Sequence, residues 1–398
     1  MTVASTLSTL RLAGSVSAHV ARERFGPAIK LSGPDDVPPS AESITPGWLA
    51  KALCATTPGA AVTHLEVMGG DNGTSARRAM RVSYNQEGAD AGLPTNIFTK
   101  SSATLASRLL LGVTDIAEGE AAFYNLIRSG LEIRSPRAYY AGFDRRTHRS
   151  IVLLEDLTDR GWTFPDPQHN KVTLHDAEDV VIEMATYHAA LWESPRLRTD
   201  LRALKKADEW QRNLNAKVGF ERRTMKGFDR AREVIPERLF RQRDAFYASF
   251  MASLALHATA PRTLLHQDLH LGNWLRDDNG RMGLYDWQCV ATGHWALDYS
   301  YALAAALETD DRRNWQEPLL RLYLERLQDA GVAAPPSFDD AWLAYRQQPL
   351  HAFAFGLFTY GGSRFEPELQ PKDYTLAAIG RIARHVDDLE SLTANHGG

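Results

Sequence analysis

The chain has 398 residues, 44% of them hydrophobic, and its 45 Lys and Arg nearly balance 49 Asp and Glu for a formal charge of −4. At roughly 100–200 residues per domain that length supports two or three domains, and the balanced charge, without a basic tail or stripe, gives no electrostatic reason to expect a nucleic-acid partner. The 28 Gly and 19 Pro are ordinary counts, which excludes a collagen-like or broadly disordered chain.

Two cysteines, Cys54 and Cys289, are too few for a disulfide framework or a thiolate metal cluster and suit a reducing compartment. Arg11 interrupts the apolar part of the N-terminal stretch and no basic region precedes it, so the stretch makes a poor signal peptide. No apolar run approaches the roughly 18 residues that a membrane span needs. A soluble, cytoplasmic protein is expected, with no membrane partner and no obligate protein partner.

In chain order, residues 1–44 read as an N-terminal extension with one short helix, ending in a breaker-rich stretch at 32–40. Thr45 then suits a helix cap, and Pro46 at the first helical position loses nothing by lacking an N–H. From Ala61 the apolar residues alternate, predicting strands over 62–67, 79–84, 95–100, 137–140 and 151–154, with a helix over 105–129. Residues 45–156 thus read as a small lobe, an antiparallel sheet with a helix against it. From 157 the spacing turns helical, over 176–192, a mixed-charge stretch at 196–256, then 298–307, 315–330, 338–360 and 373–392. Short strands and loops interrupt this at 260–298. Residues 157–398 read as a larger helical lobe.

The interruption carries the chemistry. Two short apolar segments flank a polar turn at 276–281, and they bring Asp268, Asn273 and Asp286 to their ends. Carboxylate and amide oxygens are hard ligands suited to magnesium on nucleotide phosphates, and a further carboxylate can orient an acceptor hydroxyl and take its proton. His266 and His270 flank Asp268 in an H-x-D-x-H cluster that also permits a metal-dependent hydrolase. Trp274, Trp287 and Trp295 are expected to fill space beneath this loop.

The segment His266-Gln267-Asp268-Leu269-His270-Leu271-Gly272-Asn273, followed by Asp286-Trp287, resembles the His-Gly-Asp-x-His-x-x-Asn and Asp-Trp pattern of the phosphotransferase family of kinase-like enzymes, which includes aminoglycoside phosphotransferases and choline kinases. The wording Gly-Asn-Trp and Asp-Trp-Gln is closer to the ecdysteroid-kinase-like branch. The resemblance implies an α+β, bilobal protein-kinase-like fold, with ATP and Mg2+ as cofactors and a hydroxylated small molecule as acceptor. It places Asp268 as the catalytic aspartate, Asn273 and Asp286 as metal ligands, and His266 and Asp298 as supports of the loop. Lys100 falls on the nucleotide lysine and Glu120, rather than Glu118, on the helix glutamate that pairs with it. Glu155 and Leu157 fall in the segment joining the lobes, which faces the adenine. Gly70 and Gly73 lie where a phosphate-covering turn belongs, although that turn alone reads equally as an ordinary hairpin. Gln267 departs from the family's glycine. A nucleotide-binding pseudokinase with a regulatory role is the alternative. The acceptor is expected against variable helices at 196–250 and 340–365, where Trp342, Tyr345, His351, Phe353, Phe355, Phe358 and Tyr360 precede Gly361, Gly362, Ser363 and Arg364. That composition points to a hydroxylated, fairly apolar molecule, with a sugar or amino alcohol next.

Overall fold

The period-two pattern of the first half becomes one antiparallel sheet of five strands: β1 (Val62–Val67), β2 (Ala76–Tyr84), β3 (Asn96–Ser101), β4 (Ala138–Asp144) and β5 (Arg149–Glu155), in the order β1-β2-β3-β5-β4. This is a computed structural model, which describes residues 3–27, 29–71, 73, 75–114, 116–166, 171–362 and 371–395. The chain divides into two compact units, one taking in the residues up to Gly130 and Pro136–Gly161, the other Leu131–Ser135 and Trp162 onward. A small antiparallel-sheet lobe and a larger helical lobe give the protein-kinase-like architecture that the motifs implied.

In the small unit, alternation sorts β3 and β5 into two faces. Ile97, Ile151 and Leu153 join Met80, Val82, Trp48 and Leu49 in an apolar cluster. The helix Pro46–Leu53 contributes Trp48 and Leu49, and the Thr45 side chain accepts from Trp48 N–H at its start. Lys100 and Val152 are cross-strand partners on the opposite face. The stretch before residue 45 is tied into this unit. Trp48 Nε1 donates to the carbonyls of Gly33 (2.7 Å) and Asp36 (3.0 Å), and Tyr140 Oη donates to Pro34 (2.6 Å). Its helix is longer than the short one expected, running Val3–Phe25. Glu23 near its end accepts from both Arg108 and Arg149 at 2.8 Å. Those arginines are distant in sequence, so the pattern within the segment carries no sign of them.

The stretch over 105–129 is helical over Leu105–Thr114 and Ile116–Leu126, and residue 115 lies outside the described residues. The expected helix over 338–360 is divided into Phe338–Gln347 and Leu350–Tyr360. Pro349 lies at that break, because its ring removes a backbone donor and clashes with the preceding turn. A short helix, Gln86–Asp90, appears between β2 and β3 where none was expected, capped by the Asn85 side chain accepting from Gly88 N–H.

In the large unit the helix Ala296–Ala306 is buried at every residue. The helix Leu174–Leu191 packs against it and against Thr309–Asp329. Four short strands, β6 (Arg262–Leu265), β7 (Trp274–Arg276), β8 (Met282–Leu284) and β9 (Ala291–His294), form two antiparallel pairs, β6 with β9 and β7 with β8. No described helix is long and apolar enough to cross a membrane.

The helix Phe220–Arg230 meets Leu350–Tyr360 with backbones in contact. A Cβ on Gly227 would lie 1.9 Å from the Leu357 carbonyl oxygen, and one on Gly361 would lie 2.1 Å from that of Arg223. Gly227→Ala is therefore expected to destabilise the large unit by about 1–3 kcal/mol through overpacking. Urea unfolding followed by tryptophan fluorescence measures this, and an unchanged midpoint would show that the helices do not cross so closely.

Candidate active site

In the small unit, β3 is the central strand and carries Lys100 on the face away from the Trp48 cluster. The helix Ile116–Leu126 supplies Glu120. Lys100 Nζ donates to Glu120 Oε1 at 2.7 Å, with side-chain exposures of only 6% and 9%. Each charge in this buried pair takes the other as partner in place of the hydration it loses. Glu118, two positions earlier, instead accepts from Arg145 at the surface. Gly70 and Gly73 lie in the β1–β2 connection, whose Asn72 and Thr74 fall outside the described residues. A Cβ on Gly70 would meet the Arg77 carbonyl oxygen at 2.0 Å, so glycine there is required by the hairpin itself. Glu155 ends β5, where its Oε1 accepts from Arg137 N–H (3.1 Å) and Oε2 lies 3.3 Å from Arg160 Nη1. Leu157, buried, opens a one-turn helix capped by the Asp156 side chain.

The large-unit loop between β6 and β7 is fastened at both ends. Asp298 Oδ2 accepts from His266 N–H (2.7 Å) and from Tyr187 Oη (2.7 Å), and Oδ1 accepts from Gln267 N–H (2.9 Å). His188 Nε2 lies 3.5 Å from Oδ2, at the outer limit for a hydrogen bond. Burial pushes the Asp298 carboxyl up, but the neighbouring imidazoles of His188 and His266 and the Tyr187 hydroxyl hold it below the usual carboxylate range. The His266 ring bridges the two halves of the site. Its Nδ1 accepts from Asp268 N–H (3.3 Å) and its Nε2 donates to the Tyr285 carbonyl (2.9 Å), one residue before Asp286.

This fastening brings Asp268 and Asn273 together. Asn273 Nδ2 donates to the Asp268 carbonyl (2.8 Å) and to its carboxylate Oδ2 (3.1 Å). Tyr285 N–H in turn donates to the Asn273 carbonyl (3.0 Å), which ties the strand leading to Asp286 onto the same loop. Gln267 and Asp286 both hold left-handed backbone, with φ of +66° and +64°. Such φ costs roughly 1–2 kcal/mol in a side-chain-bearing residue, and at Gln267 it explains the family's glycine. The Gln267 amide, 3% exposed as a residue, has no hydrogen-bond partner among the described residues.

Trp274, Trp287 and Trp295 are all buried, as packing under the loop requires. Trp287 sets its ring 4.6 Å from that of His266 at a 55° tilt and donates to Ser135 Oγ (2.8 Å). The aromatic stretch near 342–360 is divided between core and half-buried positions. Tyr345 and Phe353 are fully buried, while Phe355 and Phe358 stay half-buried and pack on Phe220. Ser363, Arg364 and Phe365 lie outside the described residues. Three residues take a part at this loop that the sequence does not announce: Tyr187, Tyr301, whose hydroxyl donates to Asp268 Oδ1 (3.1 Å), and His351, expected on the acceptor side, whose Nε2 contacts the Gln267 carbonyl (3.3 Å). Only for Tyr301 was a signal present, since it lies one helical turn after Asp298.

The donor chemistry fits magnesium. Asn273 commits its Nδ2 to Asp268, which leaves its hard amide oxygen available as a ligand atom, and Asp286 offers a carboxylate. Among the described residues no three His, Cys, Asp or Glu converge as a metal-holding cluster. Both ring nitrogens of His266 are engaged by backbone, so the H-x-D-x-H cluster does not assemble as a ligand set.

Several imidazoles behind the loop are buried and held neutral. Burial lowers His257 and His351 to about 4 and His294 to about 3. The unfolded chain takes up these protons near pH 6.5 and the folded one does not, so stability is present above pH 6.5 and lost as the pH falls toward 4. On the order of 2 kcal/mol per imidazole is expected to be lost by pH 5. Urea unfolding at pH 7, 6 and 5 tests this, and a flat profile would contradict it.

A sequence model of the phosphotransferase enzyme family matches residues 117–338, more than half of the chain. Among curated proteins none matches. Solved structures with which the chain is similar include choline kinase LicA from Streptococcus pneumoniae, at 14% identity over 82% of this chain and 94% of that one, TM-score 0.43. Another is choline kinase from Cryptosporidium parvum, at 13% identity over 86% and 95%, TM-score 0.48. A third is macrolide 2'-phosphotransferase MphH from Brachybacterium faecium, at 13% identity over 83% and 98%, TM-score 0.43. With a family match that runs from just before Glu120 through Asp268, Asn273, Asp286 and Asp298, the chain belongs to the phosphotransferase enzyme family.

Proposed function

We propose that the protein is a small-molecule kinase that moves the γ-phosphoryl group of ATP to a hydroxyl of its acceptor. The observation that carries this reading is the Asp268–Asn273 contact, on a loop whose backbone is fastened to a buried carboxylate. Asp268 orients the acceptor hydroxyl and receives its proton as the oxygen attacks phosphorus in line. Asn273 and Asp286 hold magnesium, which when bound neutralises the phosphate oxygens. In the small unit, Lys100 contacts the α- and β-phosphates and Glu120 holds its ammonium in one place. The backbone about Glu155 and Leu157 faces the adenine, and the turn bearing Gly70 and Gly73 covers the phosphates. Catalysis then rests on positioning and charge neutralisation.

For the acceptor we propose a hydroxylated, partly apolar small molecule, supported by the aromatic composition of residues 342–360 in the large unit, where Phe355 and Phe358 are only half-buried. The Gly272-Asn273-Trp274 and Asp286-Trp287-Gln288 wording favours the ecdysteroid-kinase-like branch of the family. The low cysteine count, Cys54 and Cys289 alone, suits a reducing cytoplasm.

Incubating the protein with ATP, magnesium and a pooled extract of hydroxylated metabolites tests this by mass spectrometry. A product heavier by one phosphoryl group is expected, dependent on magnesium and reduced about 10²–10⁴-fold by Asp268→Asn. Binding of ATP without any transferred phosphoryl group would favour a pseudokinase. Lys100→Ala is expected to weaken ATP affinity, read by calorimetry, because it removes a cation paired with phosphate. Unchanged affinity would remove Lys100 from the nucleotide site.

A further inference from the structure

Asp268 is gripped by a second donor that the family pattern does not contain. The Tyr301 hydroxyl donates to Asp268 Oδ1 at 3.1 Å, while Asn273 Nδ2 donates to Oδ2 at 3.1 Å, so each carboxylate oxygen has its own donor. Two donors on different oxygens fix both the rotation of the carboxylate about its own axis and the direction of its remaining lone pairs. His270 Nε2 approaches Oδ1 only to 3.8 Å, beyond hydrogen-bond range.

The phenol itself is firmly placed. Tyr301 lies on Ala296–Ala306, the helix buried at every residue, one turn after Asp298. The same helical face therefore holds the loop backbone through Asp298 and the reactive side chain through Tyr301. The Tyr301 ring lies 6.0 Å from that of His351, whose Nε2 contacts the carbonyl of Gln267. Burial and the adjacent Asp268 push the phenol far above its ordinary range, so it remains a proton donor at any working pH.

We infer that Tyr301 is a positioning residue for phosphoryl transfer, selecting the carboxylate orientation in which Asp268 leaves a lone pair free for the acceptor hydroxyl. This rests on the kinase reading above. In the step it serves, the acceptor oxygen bonds to the γ-phosphorus as the bond to the bridging oxygen breaks. The nucleoside diphosphate departs, and the hydroxyl proton passes to Asp268. Tyr301 keeps its own proton throughout.

Magnesium-dependent release of inorganic phosphate from ATP, with water as the acceptor, provides an assay that needs no knowledge of the natural acceptor. Tyr301→Phe is expected to lower kcat about tenfold, the effect of one net hydrogen bond realised in the transition state. KM for ATP and the thermal midpoint are expected to stay close to those of the unsubstituted chain. Tyr299→Phe is the control. Tyr299 is a buried tyrosine of the same helix whose hydroxyl has no hydrogen-bond partner among the described residues, and its loss is expected to leave kcat unchanged. An unaltered kcat in Tyr301→Phe overturns the inference while leaving the kinase reading intact. So does an equal loss in Tyr299→Phe, or a fall in activity matched by a collapse of the thermal midpoint, since either assigns the hydroxyl to stability. If the unsubstituted chain turns over no ATP with either water or the pooled extract as acceptor, the kinase reading falls, and this inference with it.

Discussion

The large unit is organised around one buried carboxylate. Asp298 is fully buried and among the described residues has no lysine or arginine paired with it, yet its two oxygens accept from the His266 and Gln267 amides and from Tyr187. An isolated buried carboxylate is costly to hold ionised. Here three hydrogen bonds supply what water would have given, and the position in the first turn of Ala296–Ala306 adds the favourable end of the helix dipole. Because two of those donors are consecutive backbone amides, the carboxylate fixes the path of the chain into Asp268.

That constraint explains the geometry that follows from it. Gln267 is held at positive φ, an unfavourable state for a residue with a side chain, because Asp298 grips its N–H and His351 its carbonyl. Asp268 emerges from this turn already oriented, and Asn273 closes the loop back on it. His266 then carries the arrangement to Tyr285 and so to Asp286. Each member of the site is positioned by a neighbour that is itself locked by packing, which is how a loop can hold chemistry to the tolerance that positioning demands.

The small unit meets a different problem. Lys100 sits on a central strand, where a long charged side chain has little access to water. Glu120 resolves this from the helix at close range. The pair is a weak source of net stability, since both charges lose hydration. Its consequence is geometric, an ammonium held in one place on a rigid sheet.

Much of this was legible in the sequence because it depends on local spacing. Period-two alternation marked the five strands, Thr45-Pro46 marked a helix start, and Asp268, Asn273 and Asp286 stood out because oxygen ligands around a polar turn have few other uses. The same residues carry the family membership. What the sequence did not disclose are pairings between distant positions: Glu23 with Arg108 and Arg149, Asp298 with Tyr187, Gln267 with His351, and Tyr301 with Asp268. The aromatic stretch at 342–360 shows the same limit, since periodicity cannot say whether a ring faces a ligand or another ring, and packing placed Tyr345 and Phe353 in the core. Residue type and spacing thus determined which groups are available for chemistry. Only tertiary structure decided which partner each one has, because hydrogen bonds and burial depend on distance in space, which neighbours in sequence do not share.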